Sequence, residues 1–161
     1  MNDFNCNKSI HVICEQSVSK RIDKLKCLYE KLIGEVDEKD ILFCDAQALF
    51  YDFLEALRSV TVSQWRESLL NKKYILIDGF HYFEQKNSTL EELTYIFKHT
   101  RAAIFLTLNK PLACYDFGEE MQYVLSIGTE NKISDESCIQ KENGKWKTSE
   151  QEFLEGFNDR K

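Results

Sequence analysis

Apolar residues along this chain follow two alternating patterns: short continuous runs, and longer stretches with an apolar residue every three or four positions. The continuous runs predict buried strands, and they lie at residues 10–14, 41–44, 74–78, 102–107 and 123–127. The helical spacing predicts helices at 18–34, 46–57, 62–70 and 90–97, with weaker helical character at 116–122. The apolar stripe predicted for the first of these helices consists of Val18, Ile22, Leu25, Leu28, Tyr29 and Leu32. This alternation is typical of an α/β fold with a parallel sheet of about five strands and helices on both faces.

Residues with local capping preferences mark the predicted helix ends. Gly34 is a natural C-terminal stop for the first helix, and Asp45 can cap the helix that follows the second strand. Two overlapping Ser/Thr-x-x-Glu sequences, at 88–91 and 89–92, are both possible capping boxes for the helix at 90–97.

The last part of the chain has a different pattern. Asn143-Gly144 is a strong hairpin signal because both residues tolerate a positive φ, and short strands at 138–140 and 145–147 flank it. Ser149, with an acidic residue three positions later, predicts a final helix through about residue 157.

The chain length and the absence of linker-like segments favour a single domain over residues 1–161. No Gly-, Ser- or Pro-rich linker divides the chain, and its 161 residues suffice for one hydrophobic core. The sequence predicts a core at about 9–128, followed by a C-terminal hairpin and helix at about 129–161.

Composition and charge restrict the possible partners and the compartment. A net charge of −6 argues against a general electrostatic grip on nucleic acid, so binding to DNA or RNA is not expected. The three histidines are isolated, which predicts no metal site, and no apolar run is long enough to span a membrane. The cysteines form no C-x-x-C pair and favour a reduced, cytoplasmic protein with small buried thiols; they are Cys6, Cys14, Cys27, Cys44, Cys114 and Cys138.

Two polar side chains follow neighbouring predicted strands. Asp78 ends the apolar run at 74–78, and Asn109 comes just after the run at 102–107. Ligands bind at the carboxyl ends of the strands in open α/β sheets, so both residues are candidates for a nucleotide site. Asn109 is equally well explained as a turn residue before Lys110-Pro111.

The turn after the first strand lacks what a phosphate-binding loop needs. Lys20 stands where the phosphate lysine of such a loop would stand, but residues 14–21 contain no glycine and Arg21 replaces the hydroxyl that holds Mg²⁺. Glu15 would place a carboxylate beside any phosphate. Gly79 occupies the position where a hydrolytic enzyme of this kind keeps a second acid, so we expect no catalytic residue here.

Residues 41–128 resemble the AAA+ domain, a P-loop NTPase fold, of the DnaA/Hda family of bacterial replication initiators. Residues 74–97, YILIDGFHYFEQKNSTLEELTYIF, follow the family order of an apolar run, an acidic turn, a short basic loop and a helix beginning with Ser or Thr. Residues 106–111, LTLNKP, are similar to the family sequence Leu-Thr-Ser-Asp-Arg-Pro. Residues 50–58 resemble the helix before the family's initiator-specific insertion. The resemblance implies a three-layer, parallel-sheet AAA+ core.

Several positions depart from the family pattern. Residues 121–123 read Met-Gln-Tyr where the family has Ser-Arg-Phe with its arginine finger, and residues 129–161 contain no counterpart of the helical lid or the DNA-binding domain. The family uses basic residues in the loop after Asp78 to bind single-stranded DNA; this chain keeps Lys86, but Ser88 replaces the basic partner.

The resemblance and its departures together predict a degenerate, non-catalytic DnaA/Hda-like domain. We expect it to act by contact with a replication initiator or another replication protein, in initiation or its regulation. Lys20, Arg21, Asp78 and Asn109 are then vestigial nucleotide-binding residues, and no cofactor is expected. The alternative is a weak ATP- or ADP-binding module with little or no hydrolysis.

Overall fold

The computed structural model describes residues 9–131, 140–142 and 145–147. Four strands form a parallel sheet in the order β1-β4-β3-β2. The strands are β1 Ile10–Cys14, β2 Ile41–Asp45, β3 Tyr74–Asp78 and β4 Ala103–Leu108. All four were predicted from their apolar runs, and their parallel pairing confirms the α/β class.

Helices cover both faces of this sheet and complete a three-layer fold. The helices are α1 Val18–Leu32, α2 Ala46–Arg58, α3 Val62–Leu70, α4 Asn87–His99 and α5 Glu119–Asn131. On one face, α1 packs its buried leucines against Ile13, Leu76 and Phe105. On the opposite face, α2 to α5 and the 3-10 turn Phe80–Phe83 enclose the larger core. None of the helices in the described residues is long and apolar enough to cross a membrane.

The predicted strand at 123–127 is wrong, because these residues belong to α5. Met121, Val124 and Leu125 are buried at spacings of three and four residues, and α5 packs against α4 and β1. A short apolar run fits a strand or a buried helix equally well. Here the segment is a helix because it packs its apolar face against α4 and β1. The main sheet therefore has four strands among the described residues, one fewer than expected.

The capping predictions are partly right. Asp45 caps α2 as expected, accepting a hydrogen bond from the Ala48 N–H at 2.8 Å. Neither Ser/Thr-x-x-Glu sequence caps α4, since this helix already begins at Asn87, its cap Lys86 makes no side-chain capping bond, and Thr89 is buried inside the first turns.

The C-terminal strands pair as a hairpin, but the first one is described at residues 140–142 rather than at the predicted 138–140. Strand β5, Gln140–Glu142, pairs antiparallel with β6, Lys145–Lys147. The turn at 143–144 and the predicted helix at 149–157 lie outside the described residues.

Candidate functional site

The turn between β1 and α1 is the place where a phosphate-binding loop would lie. Its first residue is tied to the sheet, as the Glu15 N–H donates to the Leu108 carbonyl at 2.9 Å. Ser17 is extended, with φ −76°, and caps α1 by accepting from the Lys20 N–H at 3.3 Å. Non-glycine residues with positive φ occur, among the described residues, only at Val60 and Gln85. The turn thus contains none of the left-handed residues from which an anion-binding nest is built.

Glu15 places its own carboxylate at the start of α1. One oxygen, Oε2, accepts from the Ser17 N–H at 3.1 Å, and the other, Oε1, pairs with Lys24 Nζ at 3.1 Å. Burial by itself raises the pKa of Glu15, but the Ser17 hydrogen bond and the charge of Lys24 outweigh it, so the pKa lies below its ordinary value. An internal anion therefore occupies the helix N-terminus, which otherwise attracts phosphate.

Asp78 is paired with Arg21 across the sheet edge. Arg21 Nε lies 3.4 Å from Asp78 Oδ1, and the two side chains are only 8% and 13% exposed. The same oxygen accepts a hydrogen bond from Thr107 Oγ1 at 2.7 Å, and this hydroxyl in turn accepts from the Gly79 N–H at 2.8 Å. Arg21 Nη1 also donates to the Glu15 carbonyl at 3.3 Å. Buried charges need such pairing and hydrogen bonding to remain ionised.

One pair among the four expected nucleotide-site residues is in contact. Arg21 contacts Asp78 directly, whereas Lys20, one residue earlier on α1, is exposed. Consecutive helical residues point about 100° apart, so both side chains cannot face the same edge of the sheet.

Asn109 lies at the end of β4 and is held by a tyrosine. The Tyr115 hydroxyl donates to Asn109 Oδ1, and burial raises the pKa of this tyrosine. The Tyr115 ring stacks on His81, with the ring centroids 5.9 Å apart. Burial, followed by the nearby charge of Arg21, lowers the pKa of His81, and its buried Nδ1 has no hydrogen-bond partner among the described residues.

Lys86 lies away from this cluster, at the start of α4. Its ammonium group is 4.4 Å from the centre of the Tyr82 ring and 5.4 Å from that of Phe50. The lysine is half-buried, so these cation–π contacts hold the side chain against the protein surface.

Sequence reasoning missed Lys24, Thr107, His81 and Tyr115 as neighbours of the predicted residues. The predicted apolar stripe of α1 included Val18 and Ile22, yet these side chains are 59% and 40% exposed. Arg21 and Lys24 are buried in their place, three residues apart on the inner face of the helix. A helical-wheel analysis that allowed arginine and lysine side chains on the buried face of α1 would have placed this pair there. No group of His, Cys, Asp or Glu within the described residues is arranged to hold a metal ion.

The sheet and the elements around Asp78 define the class of protein: a three-layer α/β domain of the AAA+ type. The sequence model of the bacterial DnaA ATPase domain matches residues 15–129, which is well over half of the chain. The chain therefore belongs to the bacterial DnaA ATPase-domain family.

Solved structures agree with this fold. Domain III of the Thermotoga maritima replication initiation protein DnaA superposes with a TM-score of 0.68 at 12% identity, covering 75% of this chain and 52% of that one. AMPPCP-bound DnaA from Aquifex aeolicus gives 0.67 at 14% identity, covering 74% of this chain and 38% of that one. A replication initiator DnaA bound to AMPPCP and single-stranded DNA gives 0.67 at 14%, covering 73% and 38%. This chain thus spans about half or less of these structures, and no curated protein sequence matches it.

Proposed function

We propose that this DnaA-like domain acts in chromosomal replication initiation, or in its regulation, by contact with another protein and without hydrolysing ATP. One observation carries the proposal: the Glu15 carboxylate takes the hydrogen bond at the start of α1 and pairs with Lys24, where a phosphate would otherwise be bound. A triphosphate entering this place would have to displace the Glu15 carboxylate from its hydrogen bond with the Ser17 N–H and its ion pair with Lys24, or lie directly beside that carboxylate, which is unfavourable by Coulomb's law.

The pairing of Asp78 supports the same reading. Arg21 neutralises this carboxylate, so a magnesium-bound water would compete with a guanidinium for the same oxygen. Gly79 supplies no second acid to activate water. The parallel sheet and its covering helices are retained, and their outer surfaces are available for binding a protein. We also propose a cytoplasmic location.

Titration with fluorescent ATP and ADP analogues, in the presence of magnesium, tests the nucleotide half of the proposal. We expect no saturable binding at micromolar concentrations and no change on Lys20→Ala. The matched comparison is Glu15→Gly, which removes the internal anion and restores a glycine to the loop; a gain of nucleotide binding in this variant would identify Glu15 as the blocking group. Micromolar binding by the unmodified chain that is lost on Lys20→Ala would overturn the proposal.

Analytical gel filtration with the full-length replication initiator of the same organism tests the protein-contact half. Co-elution is expected, and two separate peaks at concentrations well above the micromolar range would count against this function.

A weak ATP- or ADP-binding module is the second candidate. It is favoured by Lys20, which is exposed at the expected position of the phosphate lysine, and by the AMPPCP bound to two of the similar structures. The same titration decides between the two candidates.

A further inference from the structure

The turn that ends α2 contains a valine in an unfavourable conformation. Val60 has φ +58°, its N–H donates to the Leu57 carbonyl at 3.2 Å, and the next N–H, of Thr61, donates to the Ala56 carbonyl at 2.8 Å. This pair of hydrogen bonds is the Schellman motif, whose left-handed position normally holds glycine. A β-branched side chain in the left-handed region is a genuine outlier.

Burial of the Val60 side chain does not compensate for this strain. The side chain is 86% exposed, more than any other large hydrophobic residue in the described part of the chain, and Leu57, in the same turn, is 48% exposed. In the free domain this valine is therefore unfavourable both in backbone conformation and in solvation. Such an outlier is a reason to ask whether the exposed side chain has a function.

A shallow, open groove lies beside this turn, between α2 and α3, with a volume of about 380 Å³. Its apolar part consists of Ala56 and the half-buried Trp65, and its acidic part consists of Asp52 and Glu55. The two acidic residues differ in their bonding partners. Glu55 is bonded to Arg58 at 2.8 Å and to the Ser59 hydroxyl at 3.1 Å, whereas Asp52 has no ion-pair partner among the described residues.

We propose that this groove and the adjacent Val60–Leu57 knob bind a segment of a partner protein that presents an arginine next to an apolar side chain. The volume suits one long side chain. An arginine stem packs on Ala56 and its guanidinium stacks on the Trp65 indole and pairs with Asp52, while the neighbouring apolar residue covers Val60. The Asp52 carboxylate, which has no ion-pair partner among the described residues, repels the phosphates of a nucleic acid, and so the charge favours a basic protein segment.

The inference rests on the proposed function in one respect, that the domain acts by protein contact. The proposed function and the groove proposal can be disproved independently of each other. Nucleotide binding dependent on Lys20 would defeat the proposed function and leave this groove unaffected, whereas a partner that binds elsewhere would defeat only the groove.

The test is selection of short random peptides displayed on phage against the full chain, followed by titration of the synthetic consensus peptide. We expect a consensus with arginine beside an apolar residue. Its affinity should fall by at least about tenfold on Asp52→Asn and on Val60→Asn, the loss typical of a hot-spot residue. Asparagine tolerates the left-handed conformation, so Val60→Asn should also raise the urea midpoint while it weakens binding.

Ile33→Asn is the matched control, because Ile33 is an exposed residue at the end of α1 with an ordinary φ of −70°. It should leave peptide affinity unchanged and should not raise the urea midpoint. Selected peptides without arginine, or peptides that bind Asp52→Asn and Val60→Asn as tightly as the parent, would overturn the proposal. A dimer in gel filtration that Val60→Asn abolishes would also overturn it, because the occupant would then be a second copy of this chain.

Discussion

At the scale of single residues, the candidate site is held by buried and largely buried charges that neutralise one another. Arg21 Nε lies 3.4 Å from Asp78 Oδ1, and Lys24 Nζ lies 3.1 Å from Glu15 Oε1. The two cations are three residues apart on α1. Removing one member of a buried pair leaves the other charge uncompensated, which is far more costly than losing an exposed pair. The site is therefore expected to be important for stability.

Replacing Arg21 by methionine should lower the free energy of unfolding by about 3 kcal/mol, because Asp78 remains buried without its cation. Urea denaturation followed by circular dichroism measures this change. The double variant Arg21→Met with Asp78→Asn should recover most of the loss, since an amide still accepts the Thr107 hydrogen bond without carrying charge.

Arg58→Met is the matched control for that experiment. The Arg58–Glu55 pair has the same chemistry but is exposed on α2, so its loss should cost less than about 1 kcal/mol. Equal effects of Arg21→Met and Arg58→Met would contradict the structural role of the buried pair.

The depressed pKa of Glu15 has a defined consequence for stability against pH. A carboxylate whose folded pKa is lower than its unfolded one stabilises the fold above the unfolded pKa, and this contribution disappears as the pH falls through the folded pKa. The unmodified chain should therefore exceed Glu15→Gln in unfolding free energy at neutral pH, and the difference should shrink in acid. Urea titrations at a series of pH values measure it.

Lys24→Met provides the complementary variant. Burial is the largest influence on the pKa of Glu15 and acts to raise it, so removal of the cation should move the pKa upward. The acid-dependent loss of stability should then be smaller than in the unmodified chain, because the folded pKa of Glu15 lies closer to the unfolded one. A difference between the chain and Glu15→Gln that stays constant with pH would show that Glu15 stabilises the fold by packing alone.

At the scale of elements, the connection between β3 and α4 depends on one glycine. Gly79 follows the strand directly, has φ +72°, and donates its N–H to Thr107, which also bonds Asp78. The left-handed backbone of Gly79 disfavours any side chain at this position.

Gly79→Ala should therefore lower the free energy of unfolding by about 1 kcal/mol, although a Cβ there would meet only ordinary contacts, with His81 Cε1 at 3.8 Å. Gly34→Ala is the control, since Gly34 follows α1 without a left-handed φ and its added Cβ would also make an ordinary contact. This second substitution should be neutral or slightly stabilising. Thermal or urea unfolding of both variants measures the difference, and an equal effect of the two would contradict the role assigned to Gly79.

The phase of α1 is the element that sequence reasoning placed incorrectly. The apolar spacing suggested an inner face through Val18 and Ile22, but the helix is rotated so that Arg21 and Lys24 face the sheet edge. From Leu25 to Leu32 the predicted and observed faces agree. The difference arises because the first turn of α1 packs on Glu15 and Asp78 rather than on apolar side chains. Hydrophobic periodicity identifies only apolar positions, so it does not predict charged side chains that are buried in ion pairs.

At the scale of the whole molecule, the described residues form the sheet and covering helices of a DnaA-like AAA+ domain. Such a scaffold aligns the carboxyl ends of β1, β3 and β4 whatever residues stand there. The same fold can therefore hold a nucleotide in one protein and an internal ion-pair network in another, since function depends on the site rather than on the fold.

The amino-acid sequence by itself determined the four buried strands, the order of the helices and the absence of glycine from the first turn. These are local properties, readable from apolar runs and from the conformations that each residue type allows. Only the tertiary structure decided that residues 123–127 are helical, that Arg21 contacts Asp78, and that Glu15 fills the helix N-terminus with Lys24 as its partner. These features join positions up to 57 residues apart in the chain, and their energies depend on burial and distance, which exist only once the sheet has formed.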